Sequence, residues 1–247
     1  MNHRYLPGLV ALFLAGLCLS TSAGDGKIRV LIVDGFSNHD WRQTTAQIRG
    51  VLAPTGLFDV SVSTAPGKTN AEDYARWRPK FSDYQVVIQT CNDIGGGPKW
   101  PEPVKKDFAD FVRNGGGVYI FHSAENAFVG WKEYEEIVGL CWRKKDYGTA
   151  MRVMEDGQLV RIPPGQGWLW PVEWTVQYGQ GRVYVSTFGH VWKGDVDPET
   201  MRCAAVQTII PRALQWLAGR PVTFPVPADF PGTNAVSVRS PVVTSGE

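Results

Sequence analysis

The 247-residue sequence has four histidines, and the three beyond residue 3 each stand just after a short apolar run: His39, His122 and His190. Imidazole has an ordinary pKa close to neutral pH and, when neutral, a free electron pair. It therefore suits both proton transfer and metal ligation. Other polar residues gather at the same kind of position. Asp34, Asn38 and Asp40 accompany His39, and Cys91, Asn92 and Asp93 follow another apolar run. Ser123, Glu125 and Asn126 follow His122, while Gly189 and Trp192 flank His190. Three roles stay open for the imidazoles: acid/base groups, metal ligands, or hydrogen-bonded structural residues. No HxxxH or HxH pair is present, so a metal site needs convergence through the fold. The sequence alone therefore assigns no metal ligands and no cofactor.

Phe121-His122-Ser123-Ala124-Glu125 has the form of a strand running into a tight turn, where nucleophile elbows occur. Ser123 lacks the GxSxG surroundings of such an elbow, and is expected to cap a following helix through its hydroxyl. Gly95-Gly96-Gly97 and Gly115-Gly116-Gly117 lack the GxGxxG and GxxxxGK[ST] contexts of phosphate loops and read as turns.

The elements that must position these residues are legible in part. Residues 28–33, 58–63, 84–89 and 118–121 read as strands, with helices expected over 41–52 and 103–113. Continuous apolar strands separated by helices predict an α/β fold with a mostly parallel, doubly wound sheet and helices on both faces. The second half reads as short strands over 150–154, 158–162, 173–178 and 182–187. It includes a small β-hairpin insertion and a hairpin turn at Tyr178-Gly179-Gln180-Gly181. Val185 is expected to rejoin the main sheet, with one long helix over 198–217 after it. In such a sheet, ligands bind outside the carboxyl ends of the strands, which is where all three imidazoles fall.

Composition narrows the classes. Arg4 and the apolar stretch from Leu6 to Leu19, followed by Thr21-Ser22-Ala23, read as a signal peptide over residues 1–23 with cleavage near Ala23. Leu17 before Cys18 disfavours a lipid anchor. A secreted or periplasmic chain of 224 residues is expected, its formal charge reduced from +1 to 0 by the loss of Arg4. That neutrality gives no electrostatic footprint for nucleic acid or for a membrane surface. Residues 24–220 read as one domain, and 221–247 as a Pro-rich tail that either straps onto the surface or is disordered. Cys91, Cys141 and Cys203 form no CxxC and read as small buried side chains. Among ten tryptophans, Trp41, Trp100, Trp131, Trp142, Trp168, Trp170 and Trp192 lie in Gly/Pro-rich or polar stretches. Each taken singly reads as a loop plug against the core, but as a group they suit a binding cleft for sugar faces.

Three stretches together resemble the ThuA-like (trehalose utilisation) family: Val30 to Gly35 running into Asn38-His39-Asp40-Trp41-Arg42-Gln43; Phe111 to Val118 running into His122-Ser123-Ala124; and Tyr178 to Tyr184 ending in Phe188-Gly189-His190. They span roughly residues 27–218. The resemblance implies a class I glutamine amidotransferase-like, flavodoxin-like fold, and a role on carbohydrates, with keto-sugars as candidate substrates and a small carbohydrate as ligand. The loop histidines themselves suggest His122 or His190 as the base, with His39 in the same centre and Glu125 or Asp93 orienting it or acting as acid. Asp34, Asn38, Trp41, Asn92, Ser123, Asn126 and Trp192 would hold substrate. The sequence departs from the family in having no His-Pro-Ile segment between Arg152 and Trp174. It also departs from the amidotransferases in having His122-Ser123 where they carry a nucleophilic Cys. Cys91 follows a different strand, so Cys-dependent glutaminase chemistry is not expected. A non-catalytic carbohydrate-binding module and a metal-dependent hydrolase stand as alternatives, and the oligomeric state is left open.

Overall fold

The computed structural model describes residues 26–67, 71–141, 151–153, 159–161, 171–232 and 235–242. The expected leader, Cys18, Trp142, Trp168, Trp170 and the outer ends of the strands expected near 150–162 lie outside the described residues. Among the described residues, no helix is long and apolar enough to cross a membrane.

The chain forms β1 (Ile28–Asp34), α1 (Trp41–Leu52), β2 (Phe58–Thr64), α2 (Ala71–Arg76), β3 (Val86–Gln89), α3 (Glu102–Arg113), β4 (Gly117–Phe121), α4 (Lys132–Val138), β5 (Met151–Val153), β6 (Leu159–Arg161), β7 (Glu173–Tyr178), β8 (Gly181–Ser186), α5 (Glu199–Arg202) and α6 (Ala204–Leu217). Six strands make one sheet in the order β2-β1-β3-β4-β8-β7. All neighbours are parallel except the edge pair β7–β8. Strands β5 and β6 pair with each other, antiparallel, in a separate two-stranded sheet. Tyr178 pairs with Gly181 across a two-residue turn, as the Gly-Gln-Gly sequence suggests.

The central strands are apolar on both faces because both faces are covered. Leu31, Val33, Val87, Val118, Ile120, Val183 and Val185 pack with Phe108 of α3 and Tyr134 of α4. From the opposite face, Val30, Ile32, Val86, Ile88, Tyr119 and Phe121 pack with Ile48 and Leu52 of α1 and Ile210 and Leu214 of α6. A fully buried Val, Ile, Leu or Phe contributes roughly 1.5–3 kcal/mol relative to exposure. These two layers therefore fix the register of the strands and, with it, the positions of the loops beyond their carboxyl ends.

The long helix expected over 198–217 is broken. Cys203 is extended, with φ −61° and ψ 126°, and separates α5 from α6. The break serves the tail: Cys203 forms an antiparallel bridge with Val238, Ala204 N–H donates to Ser237 O, and Arg239 N–H donates to Arg202 O. Farther along, Gln215 Oε1 accepts from the N–H groups of Thr223 and Phe224 at 3.1 and 2.9 Å. The tail, where described, is a strap. Leaving two backbone donors without an acceptor costs roughly 1–3 kcal/mol each when they stay shielded from water. Replacing Gln215 with Leu should therefore release the strap, and limited proteolysis should cut within 221–232 several-fold faster than in the parent while the sheet stays protected. An unchanged cleavage pattern would show that Gln215 does not hold the tail.

Candidate functional site

The strand order reverses between β1 and β3, because the chain steps outward from β1 to β2 and then returns to the other side of β1. That reversal leaves a crevice at the carboxyl ends of the strands, the usual ligand position in open α/β sheets. His39 lies in the loop after β1, Asn92 after β3, His122 directly after β4, and His190 after β8. Asp40 N–H donates to Val191 O, which draws the β1 loop against the β8 loop. The Asp40 carboxylate caps α1 by accepting from Gln43 N–H at 3.0 Å, as its position in the sequence suggests.

The three imidazoles meet. Ring centroids of His39 and His122 are 4.8 Å apart, those of His39 and His190 4.9 Å, and those of His122 and His190 5.2 Å, each pair edge to face. Trp192 lies parallel to His190 with centroids 5.9 Å apart and edge-on to His39 at 5.1 Å. It is 46% exposed, and His190 is exposed too, so the cluster opens to solvent. One ring nitrogen from each histidine lies within 4.8 Å of the others, which makes the trio a set that could hold a metal ion.

Hydrogen bonds fix which nitrogen of each inner ring carries hydrogen. Asn92 Oδ1 accepts from Ile94 N–H at 3.2 Å and from Asn38 N–H at 3.4 Å, so its Nδ2 must be the donor. That Nδ2 donates to Asn38 Oδ1 at 2.9 Å, to Ser123 Oγ at 2.6 Å and to Ser37 Oγ at 2.8 Å, sharing two hydrogens among three acceptors. Asn38 Oδ1 is thereby an acceptor, and His39 Nδ1–H donates to it at 2.8 Å. His122 Nδ1–H donates to the carbonyl of Thr187 at 2.6 Å. In their neutral forms both rings then carry an electron pair at Nε2, and these two atoms face each other at 3.3 Å. Burial, the neighbouring His122 and His190 and the charge of Lys193 lower His39 from 6.5 to about 4. Burial lowers His122 as well, against the raising effect of its bond to Thr187. Both rings are neutral at pH 7.

His122 itself has φ 48°, the left-handed region, which costs a non-glycine residue roughly 1–2 kcal/mol. The sharp exit from β4 is what turns its ring across the sheet toward Thr187. Gly189 has φ 102°, and a Cβ there would lie 2.2 Å from the Phe121 ring, so only glycine lets the β8 loop close over β4.

No family model matches the sequence, and no curated protein matches it either. Among solved structures, the chain matches a protein described as ThuA-like from Parabacteroides merdae with a TM-score of 0.73 and 26% sequence identity, over 87% of this chain and 98% of that one. Over that length the chain is similar to a ThuA-like protein in fold and sequence. A second protein described in the same terms, from Bacteroides uniformis, matches with a TM-score of 0.45 and 13% identity over 79% of this chain and 94% of that one.

The other residues singled out in the sequence have varied places. Asn38, Asn92 and Ser123 belong to the network behind the imidazoles. Ser123 is not a helix cap: the segment after β4 is a short 3-10 turn, His122–Asn126, that begins at His122 and has no side-chain cap, and the Ser123 hydroxyl receives Asn92. Asp34 is buried, and its carboxylate accepts from Thr45 and Thr64 hydroxyls at 2.6 and 2.7 Å, tying β1 to α1 and β2. Burial raises its pKa despite those bonds. Asp93 accepts from Phe128 N–H at 2.7 Å. Glu125 is buried in the 3-10 turn, where its charge adds a little to the burial that raises the Tyr134 hydroxyl, and Asn126 ends that turn half-buried. The imidazoles are thus oriented by an amide and a backbone carbonyl. Trp41 carries the Arg42 guanidinium over its ring at 4.1 Å. Trp100 and Trp131 pack in the core. Among the described residues Cys91, Cys141 and Cys203 form no disulfide; Cys91 is fully buried and the other two are half-buried.

Three contributors carried no sequence signal. Thr187 acts through its backbone, which any residue supplies. Ser37 is one polar residue in a polar loop. Gln89, fully buried at the end of β3, donates to Cys91 O and to the Tyr134 hydroxyl, both at 2.9 Å, and Tyr134 in turn donates to Ala124 O at 2.6 Å. This brace ties the Asn92 loop to the His122 turn. A polar residue closing an apolar strand was its only trace. A groove of about 870 Å³ lies at the opposite ends of β3 and β4, bordered by Arg78, Gln85, Asp107 and Phe111. It holds no imidazole.

Two outcomes follow. The unfolded chain protonates His39 near 6.5 and the folded chain only near 4. In chelator-containing buffer the His39 contribution to stability should therefore be level above pH 6.5, fall as the pH drops from 6.5 to 4, and level again below. Denaturant midpoints across pH should show that fall, and His39→Asn should flatten part of it; an identical profile in the variant would remove His39 as its source. Gly189→Ala should push the β8 loop off Phe121 and lower the melting temperature by several degrees. An unshifted melting curve would show the close approach to be unnecessary.

Proposed function

We propose that this ThuA-like protein is a carbohydrate-converting enzyme whose reaction centre is the imidazole trio, acting on an oxidised sugar. The convergence of His39, His122 and His190 beside the exposed face of Trp192 is the observation that supports it. A ring such as Trp192 offers a flat apolar surface to the C–H face of a sugar, and the inner imidazoles offer electron pairs to its hydroxyl or carbonyl region. A keto group is the natural target: it acidifies the neighbouring C–H and O–H bonds, which is where a base or an electrophile gains most. His39, at about 4, is far below the pKa that serves a general base at neutral pH, so its part is to bind and orient. The fold we assign is the doubly wound, amidotransferase-like one, with its nucleophilic Cys replaced at the elbow by His122-Ser123. The leader-like composition of residues 1–23 supports a secreted or periplasmic setting for it.

Incubation with a panel of keto-disaccharides and their unoxidised parents, followed by NMR of the sugars, tests this reading. Turnover of at least one keto-sugar is expected, falling a hundredfold or more in His122→Ala and His190→Ala. Trp192→Ala should raise KM several-fold with less effect on kcat. Saturable binding without turnover of any sugar would make the protein a carbohydrate-binding module instead, and turnover unaffected by either histidine substitution would remove the trio as its centre.

A further inference from the structure

The contact between His39 and His122 poses a problem that the protein alone does not solve. Two Nε2 atoms, each left with an electron pair because Nδ1–H is committed elsewhere, sit 3.3 Å apart. Facing electron pairs repel, and a positive group between them, a proton or a metal cation, relieves that repulsion. From these residues we propose that His39, His122 and His190 form a three-imidazole site for one divalent transition-metal ion of the zinc class, with its remaining coordination position open to water or to a substrate oxygen.

The spacing fits. Zinc–imidazole bonds of about 2.0–2.1 Å in a tetrahedron put ligand nitrogens about 3.3–3.4 Å apart, which is the His39–His122 separation. The third nitrogen lies within 4.8 Å of the others. Closing to a tetrahedral edge takes a shift of about 1.5 Å, open to His190 because its ring is exposed. The outer contacts are those of a metal centre. Each inner ring donates its distal N–H to an oxygen, Asn38 Oδ1 for His39 and Thr187 O for His122, and such partners orient a ligand and raise its donor strength. The ligand set names the metal class: three neutral nitrogens with neither thiolate nor carboxylate among them suit zinc, cobalt or nickel rather than calcium or magnesium, which take oxygen. An ion held by neutral ligands keeps its full double charge. It would act as a Lewis acid on a sugar carbonyl or acidify a bound water. Only the identity of the substrate oxygen rests on the carbohydrate reading; the site itself does not.

The purified full chain, stripped with a chelator and dialysed, should bind one zinc ion per chain in calorimetry with micromolar or tighter affinity. Cobalt should give the intense visible bands of a four-coordinate ion. His190→Ala, an exposed position whose loss spares the fold, should weaken binding a hundredfold or more, as should His39→Ala and His122→Ala where circular dichroism shows them folded. Asn38→Ala, which frees the His39 tautomer without touching the metal, should cost 10- to 100-fold. Binding that is unsaturable, or equally tight in His190→Ala, overturns the proposal. Sugar turnover undiminished by the chelator would also overturn it while leaving the carbohydrate reading intact. Tight zinc binding without turnover of any sugar would keep the metal site and remove that reading.

Discussion

Two hydrogen bonds made on the far sides of two rings govern this site. Because Asn38 and Thr187 each take an Nδ1 proton, His39 and His122 are obliged to point bare Nε2 atoms at one another across 3.3 Å. The arrangement is maintained against its own repulsion by everything behind it. Backbone N–H groups fix Asn92, Asn92 fixes Asn38, and Asn38 fixes His39, so a chain of single-valued hydrogen-bond choices runs from the main chain to one imidazole. His122 is held by a strained left-handed exit from β4 and by the carbonyl of a neighbouring loop. Local strain and facing electron pairs persist in a folded protein when surrounding contacts over-determine them, and they concentrate where a ligand is expected to relieve them.

The sheet supplies that over-determination. Four adjacent parallel strands, β1, β3, β4 and β8, end together, and their apolar residues are sealed between two helical layers. Gln89 and Tyr134 then join the β3 and β4 loops by buried polar bonds, and Asp40 N–H joins the β1 loop to that of β8. Loops anchored at both ends in this way lose little further entropy on binding, which is the condition for a preorganised site.

Much of the frame was readable in advance because its causes are local. The continuous apolar runs at 28–33 and 118–121 reflect burial on both faces, the Asp40 cap and α1 follow from adjacent residues, and the Gly-Gln-Gly turn declares its hairpin. Three histidines at strand ends could be read as one site because sheet topology determines which loops converge. What escaped the sequence depends on contacts distant in the chain. Cys203 breaks a helix because residues near 238 pair with it. Ser123 receives Asn92 instead of capping a helix, since the turn after β4 is 3-10. Asp93 and Asp34, chemically eligible, are taken up by a backbone N–H and by two threonines, while a backbone carbonyl that no residue type announces does the orienting. Of the loop tryptophans described, Trp100 and Trp131 plug the core, and Trp192 alone stands over the histidines with an exposed face.

The site turns on where two hydrogens reside, and imidazole nitrogen chemical shifts report their positions directly. Long-range ¹H–¹⁵N correlation spectra of the metal-free protein at pH 7 should show His39 and His122 as neutral Nδ1–H tautomers, each with a bare Nε2. Nε2–H signals from either ring, or the averaged pattern of a charged imidazolium shared between the two, would contradict the account.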